Sequence, residues 1–306
     1  AMVKELRETT GAGMMDCKKA LAATDGDMEK AVEFLREKGL AGAAKKAGRI
    51  AAEGIVDTAM SADEKTAVVV EVNAETDFVA KNAKFQAYVA DVAAQALASS
   101  AADMDSFMAE KWAKDETLTV KEALSSQISI IGENMNIRRF KQVVEENGVV
   151  VSYIHAGGRI GVLVDVETSV VNDAVKEALT NLAMQIAALN PKYVSRDEVS
   201  ADYIAHEKEI LLAQIMNDPK ESQKPEKVIN GMIEGRISKE LKEICLVDQV
   251  YVKAEDGKQT VAKYLDEVSK AVGTPVSVKR FVRFETGEGL EKKNEDFAAE
   301  VAAQLQ

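Results

Sequence analysis

Few side chains in this sequence have the types and the spacing that catalysis or metal binding would need. His155 and His206 lie far apart, as do Cys17 and Cys245, and no spacing resembles a metal site or a disulfide framework. The glycines of "TGAG" (10–13) follow a helical pattern instead of a strand and lack the third glycine of a dinucleotide-binding loop. The many carboxylates are spread over predicted helical faces. We therefore expect no enzyme, no metal and no cofactor, but a protein that acts by binding.

One aromatic residue stands at an unusual place, in the stretch "VNAETDFVAKN" (72–82). Phe78 comes after a run of strand formers and directly after Thr76 and Asp77, two residues that favour helix starts. Two interpretations stay open from the residues alone. Phe78 precedes Phe85 by seven residues, so on a continuous helix both would share one face and enter the core. Alternatively, Phe78 projects from the helix start and touches a partner.

Composition limits the class of protein. The chain has 306 residues, a net charge of −12 and a sequence pI of about 4.9, which gives room for two or more domains and argues against general nucleic-acid binding. No run reaches the ~18 apolar residues of a transmembrane helix. The N-terminus resembles neither a signal peptide nor a transit peptide. We expect a folded cytoplasmic protein with no nucleic-acid, membrane or small-molecule partner.

Residues 1–52 predict a three-helix module followed by a linker. Asp27 is the predicted cap of the third helix, and Gly39 is its predicted C-terminal stop. Met14 and Met15 follow a turn directly, so they are candidates either for the core or for an adaptable contact surface. From the residues alone, we expect one of the two methionines in the core.

The rest of the chain contains a repeated unit. "VVVEV" (68–72) returns as "VLVDV" (162–166), at an offset of 94 residues. "TVKEALSSQISIIGENMNIRRF" (119–140) returns as "TVAKYLDEVSKAVGTPVSVKRF" (260–281), at an offset of 141. The difference, 141 − 94 = 47 residues, predicts an insertion inside the second copy.

Two core subdomains, 53–144 and 145–284, follow from this repeat. Each has the predicted order β-β-α-α-β, which indicates an antiparallel or mixed sheet covered by helices. At the offset of 94, Phe78 falls opposite Asn172. The shared fold therefore does not obviously require an aromatic residue at this position.

The extra residues of the second copy predict a helical arm at about 199–243. "ADYIAHEKEILLAQIM" (201–216) and "PEKVINGMIEGRISKELKEI" (225–244) each carry a narrow apolar stripe, with a polar turn between them. Two such helices with a tight tip predict an antiparallel coiled-coil hairpin. Residues 285–306 are predicted to form a C-terminal module with a short amphipathic helix.

Long segments over essentially the whole chain resemble the bacterial elongation factor Ts family, in the family's order. The resemblance implies an α+β, multidomain fold: an N-terminal three-helix, ubiquitin-associated-like module, two core subdomains, a coiled-coil hairpin in the second, and a C-terminal helical module. The similar segments are "VKELRETTGAGMMDCKKAL", "EVNAETDFVAKNAKF", "IGENMNIRRF", "HAGGRIGVLV" and "RFETGEGLEKKNEDFAAEV".

The resemblance also implies a function, guanine-nucleotide exchange on elongation factor Tu. The family's Asp-Phe pair reaches into this partner beside its Mg²⁺ site, and it falls here on Asp77 and Phe78, flanked by Thr76 and Val79. Two other classes stay open: a binding module without exchange activity, and an enzyme that uses the carboxylates. The other implied contact residues are Met14, Met15, His155 and Phe297.

Overall fold

The computed structural model describes residues 1–293 and residue 302. It is an α+β structure, as the sequence predicts. The first three helices pack around a small core of their own that includes Leu6 and Cys17. Asp27 caps the third helix, because its side chain accepts a hydrogen bond from the backbone N–H of Lys30. These helices are α1 (Met2–Thr10), α2 (Met14–Ala23) and α3 (Met28–Lys46).

The first core subdomain is built on a three-stranded antiparallel sheet. Its elements are β1 (Glu53–Met60), β2 (Thr66–Ala74), α4 (Asp77–Ala80), α5 (Ala83–Ala98), α6 (Met104–Ala109), β3 (Lys111–Trp112), β4 (Asp115–Thr119), α7 (Val120–Ile131) and β5 (Met135–Val144). The strand order is β1-β2-β5, and α5 and α7 pack on one face. The predicted order β-β-α-α-β is confirmed, with α4, α6 and the β3–β4 hairpin as additions.

The second core subdomain repeats this design. Its elements are β6 (Gly148–His155), β7 (Ile160–Glu167), α8 (Asp173–Leu189), α9 (Ala201–Met216), α10 (Glu226–Ile244), α11 (Val261–Val272) and β8 (Ser277–Glu285). The antiparallel strand order is β6-β7-β8. The offset of 141 residues is kept through the caps of two helices, since Thr119 caps α7 and Thr260 caps α11.

The two sheets meet through the faces that their helices leave free. Val56 N–H donates to Gly158 O at 2.7 Å, and Val150 N–H donates to Glu64 O at 3.1 Å. These two hydrogen bonds are equivalent at the offset of 94, so the first strand of each copy binds the hairpin turn of the other. Reciprocal contacts of this kind define a pseudo-twofold axis. Alternate residues of β2 therefore face either helices or the opposing sheet, which explains its apolar run.

Helix α3 does not stop at Gly39, contrary to the prediction. It continues to Lys46, through most of the segment predicted to be a linker. Gly39 is buried against α7, where a Cβ atom would lie 3.5 Å from Ser129 Oγ and 3.9 Å from the backbone oxygen of Ser125. Gly39 therefore lies inside α3, at the contact of this helix with α7, and does not terminate it. The three-helix module is thereby docked on the first core subdomain.

The inserted arm is an antiparallel pair of helices, as predicted. Tyr203 Oη donates to Glu240 at 2.6 Å, and Lys208 Nζ lies 2.6 Å from Glu234. Tyr203 and then Lys208 follow each other along α9, whereas their partners Glu240 and Glu234 lie in the reverse order along α10, so the two helices are antiparallel. Their seam is a separate apolar cluster that includes buried Ile215, Ile229, Ile233, Ile237 and Leu241.

Candidate partner-binding site

Phe78 lies on an exposed single turn of helix and not in the core. Its side chain is 78% exposed, whereas that of Phe85 is fully buried. The two do not share a face because the helix is interrupted: α4 ends at Ala80, and Asn82 starts α5 by accepting from the backbone N–H groups of Lys84 and Phe85. The core interpretation of Phe78 is therefore wrong.

The residues around Phe78 differ in what they can touch. Val79 is only 8% exposed and packs into the core of the first subdomain, so it anchors α4 and does not present a contact surface. Thr76 is half-buried, and its hydroxyl donates to Glu133 at 2.7 Å. Asp77 is exposed, with Lys81 Nζ at 3.9 Å from its carboxylate. Of the four residues predicted here, Asp77 and Phe78 present exposed side chains.

The second copy has no counterpart of this turn. Asn172 caps α8 by accepting from Val175 N–H, just as Asn82 caps α5, so the two asparagines are equivalent at an offset of 90. The strands keep the offset of 94, so the first copy has four more residues between strand and helix, the length of α4. The predicted pairing of Phe78 with Asn172 is therefore wrong. Four residues make about one helical turn, so the buried faces of α5 and α8 match at either offset.

Met14 and Met15 are both exposed, at 59% and 62%. They form the first turn of α2, which turns Cys17, Ala20 and Leu21 toward the module's core. The expectation that one methionine is buried is wrong, because these smaller residues together with α1 and α3 already fill that core. Both methionines are thus placed as an adaptable surface.

His155 lies in the second copy, exposed at the end of β6. Its Nδ1 atom is 2.9 Å from Tyr153 Oη. The following turn is held against β1 of the first copy by the Val56–Gly158 hydrogen bond. His155, the methionines and Phe78 therefore lie on three different parts of the molecule. Phe297 falls outside the described residues, as does the predicted C-terminal helix except for residue 302.

The described part of the chain holds no metal-binding group, no cysteine pair and no membrane-spanning helix. No group of His, Cys, Asp and Glu that could hold a metal ion occurs in residues 1–293. Both cysteines are buried and unpaired with each other. Among the described helices, none is long and apolar enough to cross a membrane. Phe78, Met14 and Met15 are exposed apolar side chains, the kind of surface that a macromolecular partner can cover.

Comparison with known proteins gives the family. The model of the family described as "Elongation factor TS" matches residues 75–288. Elongation factor Ts of Clostridium novyi is 54% identical over 304 residues, covering 99% of this chain and 97% of that protein. Elongation factor Ts of Clostridioides difficile is 53% identical over 304 residues, with the same coverage. The chain belongs to the elongation factor Ts family, whose members act in the elongation stage of protein biosynthesis.

Proposed function

We propose that this protein is a guanine-nucleotide exchange factor for elongation factor Tu. It binds the GDP-bound and the nucleotide-free partner, promotes the release of GDP and so allows GTP to load. One observation carries the proposal beyond family membership: Phe78 is 78% exposed on a braced turn that the second copy lacks. Burial of a large, solvent-exposed apolar side chain by a partner lowers the free energy of the complex.

In the proposed mechanism, Asp77 and Phe78 enter the partner beside its Mg²⁺ and phosphate site. The aromatic ring displaces elements next to the ion, which loosens both the ion and the phosphates. No covalent bond is made or broken. The protein therefore acts as a non-enzymatic factor in the cytoplasm, with no cofactor or metal of its own.

The energetics of exchange require more than one residue. If this protein weakens the binding of GDP to elongation factor Tu, GDP must weaken the binding of this protein to elongation factor Tu to the same extent. Accelerating release by ~10⁴-fold corresponds to lowering the barrier by about 5.5 kcal/mol. Burying one phenylalanine contributes about 1.5–3 kcal/mol. The remainder must come from a broad interface, for which Met14, Met15 and His155 are the proposed further contacts.

The direct test is release of labelled GDP from elongation factor Tu, with and without this protein. We expect the release of labelled GDP, followed with excess unlabelled GDP present to prevent rebinding of the label, to accelerate with the concentration of this protein. Binding without faster release would favour a binding module instead. Product formation from any compound in a substrate-turnover screen would favour an enzyme.

A further inference from the structure

Glu133 hydrogen-bonds to the two residues that precede the exposed turn. It lies between α7 and β5, and its Oε2 atom accepts from the backbone N–H groups of Glu75 and Thr76, each at 3.0 Å. Its Oε1 atom accepts from the hydroxyl of Thr76 at 2.7 Å. Hydrogen bonds to a carboxylate are stronger than those between neutral groups. They fix both the backbone and the side chain of the residue directly before α4.

We call the hydrogen bonds that join Glu133 to Glu75 and Thr76 the carboxylate bracket. The next residue, Asn134, connects this bracket to the linker that joins the three-helix module to the core. Its backbone N–H donates to Glu75 Oε1 at 2.7 Å, and its side-chain amide donates to the backbone oxygen of Arg49 at 2.7 Å. Asn134 is only 3% exposed. The Glu75 carboxylate lies near two cations, since Arg49 is 3.5 Å and Lys293 is 4.0 Å from it.

The second copy shows that the fold itself does not need this bracket. At the offset of 141 residues, Glu133 and Asn134 become Thr274 and Pro275. Proline has no backbone N–H to donate, and Thr274 pairs with the hydroxyl of Ser169 at 2.8 Å. The strand after this turn still pairs with its neighbour as in the first copy. The carboxylate bracket occurs in the copy that carries Phe78.

We propose that Glu133 is a positioning residue that holds α4 in the conformation that presents Phe78 to the partner. The inference rests on the proposed function and names the group that prepares its site. A single helical turn of four residues is unstable alone, because too few hydrogen bonds offset its loss of conformational freedom. The buried side chain of Val79 anchors α4 in the core, and Glu133 holds the residue that precedes α4, Thr76, by a hydrogen bond to its backbone N–H. Ordering the turn before binding spares the complex that entropic cost.

The test compares Glu133→Ala with Glu133→Gln in the full-length chain. A glutamine oxygen can accept from both backbone N–H groups, and its amide can donate to the Thr76 hydroxyl, so the bracket survives. We expect Glu133→Ala to slow factor-stimulated GDP release about tenfold, as for other losses of pre-set geometry. Glu133→Gln should stay within about twofold of the unmodified protein. Thr274→Ala is the matched control in the second copy and should leave factor-stimulated GDP release unchanged.

A second readout does not depend on exchange activity. Hydrogen–deuterium exchange at the amides of Glu75 and Thr76 should be faster by about tenfold in Glu133→Ala and unchanged in Glu133→Gln. If Glu133→Ala fails to fold, Thr76→Val removes only the hydroxyl contact, and Thr76→Ser restores it. The valine variant should then slow GDP release, and the serine variant should recover it.

The outcomes separate this inference from the function on which it rests. Normal GDP release by Glu133→Ala, with a slow Phe78→Ala variant in parallel, would overturn the role of Glu133 and leave the exchange function intact. Unchanged protection of the two amides in Glu133→Ala would also overturn it. If the unmodified protein does not accelerate GDP release, the proposed function fails and the positioning role fails with it.

Discussion

The two copies of the core subdomain place a buried acid at the same point and satisfy it differently. Glu71 in β2 and Asp165 in β7 are equivalent at the offset of 94, and neither has any exposed surface. Each faces an equivalent arginine: Arg139 Nε is 2.7 Å from Glu71, and Arg280 Nε is 2.6 Å from Asp165. The acid–arginine pair is thus part of the shared design, and what surrounds it distinguishes the copies.

Glu71 is fully hydrogen-bonded. Besides Arg139, its carboxylate accepts from Asn73 at 2.9 Å, from Arg138 at 3.1 Å and from the backbone N–H of Gly287 at 2.7 Å. The last bond ties the segment after β8 back onto the first copy. Gly287 has φ +74, and a Cβ atom there would lie 2.2 Å from the backbone oxygen of Ala52, so glycine is needed for this approach.

Asp165 has a second carboxylate in place of these donors. Its Oδ1 atom is buried without a hydrogen-bond donor. Burial raises the pKa of Asp165 to about 6, and the neighbouring Glu145 carboxyl adds to the rise. The Asp165 carboxyl is in turn the main cause that lowers the pKa of Glu145. The pair is best described as sharing one proton, so the second copy contains the less stable version of the common motif.

The largest expected effect comes from deleting the acid in each copy. Glu71→Ala should lower the free energy of unfolding by about 3 kcal/mol, because it breaks a buried, fully bonded network. Asp165→Ala should cost about 1 kcal/mol, since losing the Arg280 bond is partly offset by relief of the acid pair. Urea unfolding at pH 7 measures both. Equal losses of unfolding free energy would contradict the inference that the acid site of the second copy is the less stable one.

Next in size is the effect of Phe78 on exchange. Phe78→Ala should slow factor-stimulated GDP release about thirtyfold, or about 2 kcal/mol, while stability changes by less than about 0.5 kcal/mol. Val171→Ala is the matched control, an exposed apolar residue on the same connection of the second copy. It should leave GDP release unchanged. A large drop in the melting temperature of Phe78→Ala would instead indicate a structural role.

The acid pair also predicts a pH dependence of stability. The pKa of Asp165 is raised on folding, so its stabilising contribution is present below pH ~4 and is lost as the pH rises through about 6. Asp165→Asn removes this loss, and its stability relative to the unmodified protein should therefore increase by about 2 kcal/mol from pH 4 to pH 7. Urea unfolding at four pH values tests this. Glu145→Gln should shrink the trend, and a flat difference would argue against a shared proton.

The smallest expected effect is that of the helical arm. Its seam is an apolar cluster of its own, and the first copy folds without an equivalent. Replacing residues 199–243 with a short Gly-Ser loop should leave stimulated GDP release within about twofold. The melting curve of the variant must stay cooperative for the comparison to hold. A severe loss of release in a well-folded variant would assign the arm a part in exchange.

The sequence by itself determined the local elements and the repeat. The cap at Asp27, the apolar stripes of the arm and the strands of both sheets follow from residues close together along the chain. Such short-range patterns reflect hydrogen bonds and periodic burial within one element, which the sequence displays directly. The offsets of 94 and 141 residues required only comparison of the chain with itself.

Tertiary structure decided which side chains meet and which remain in water. Gly39 fits a helix end by sequence, yet helix packing against α7 carries α3 past it. Phe78 and Val79 are adjacent apolar residues, but one is exposed and the other buried, because α4 is a separate turn with its own anchor. Glu133 lies 57 residues from Thr76 in the chain. Contacts of this range depend on how whole elements pack, and no local pattern records them.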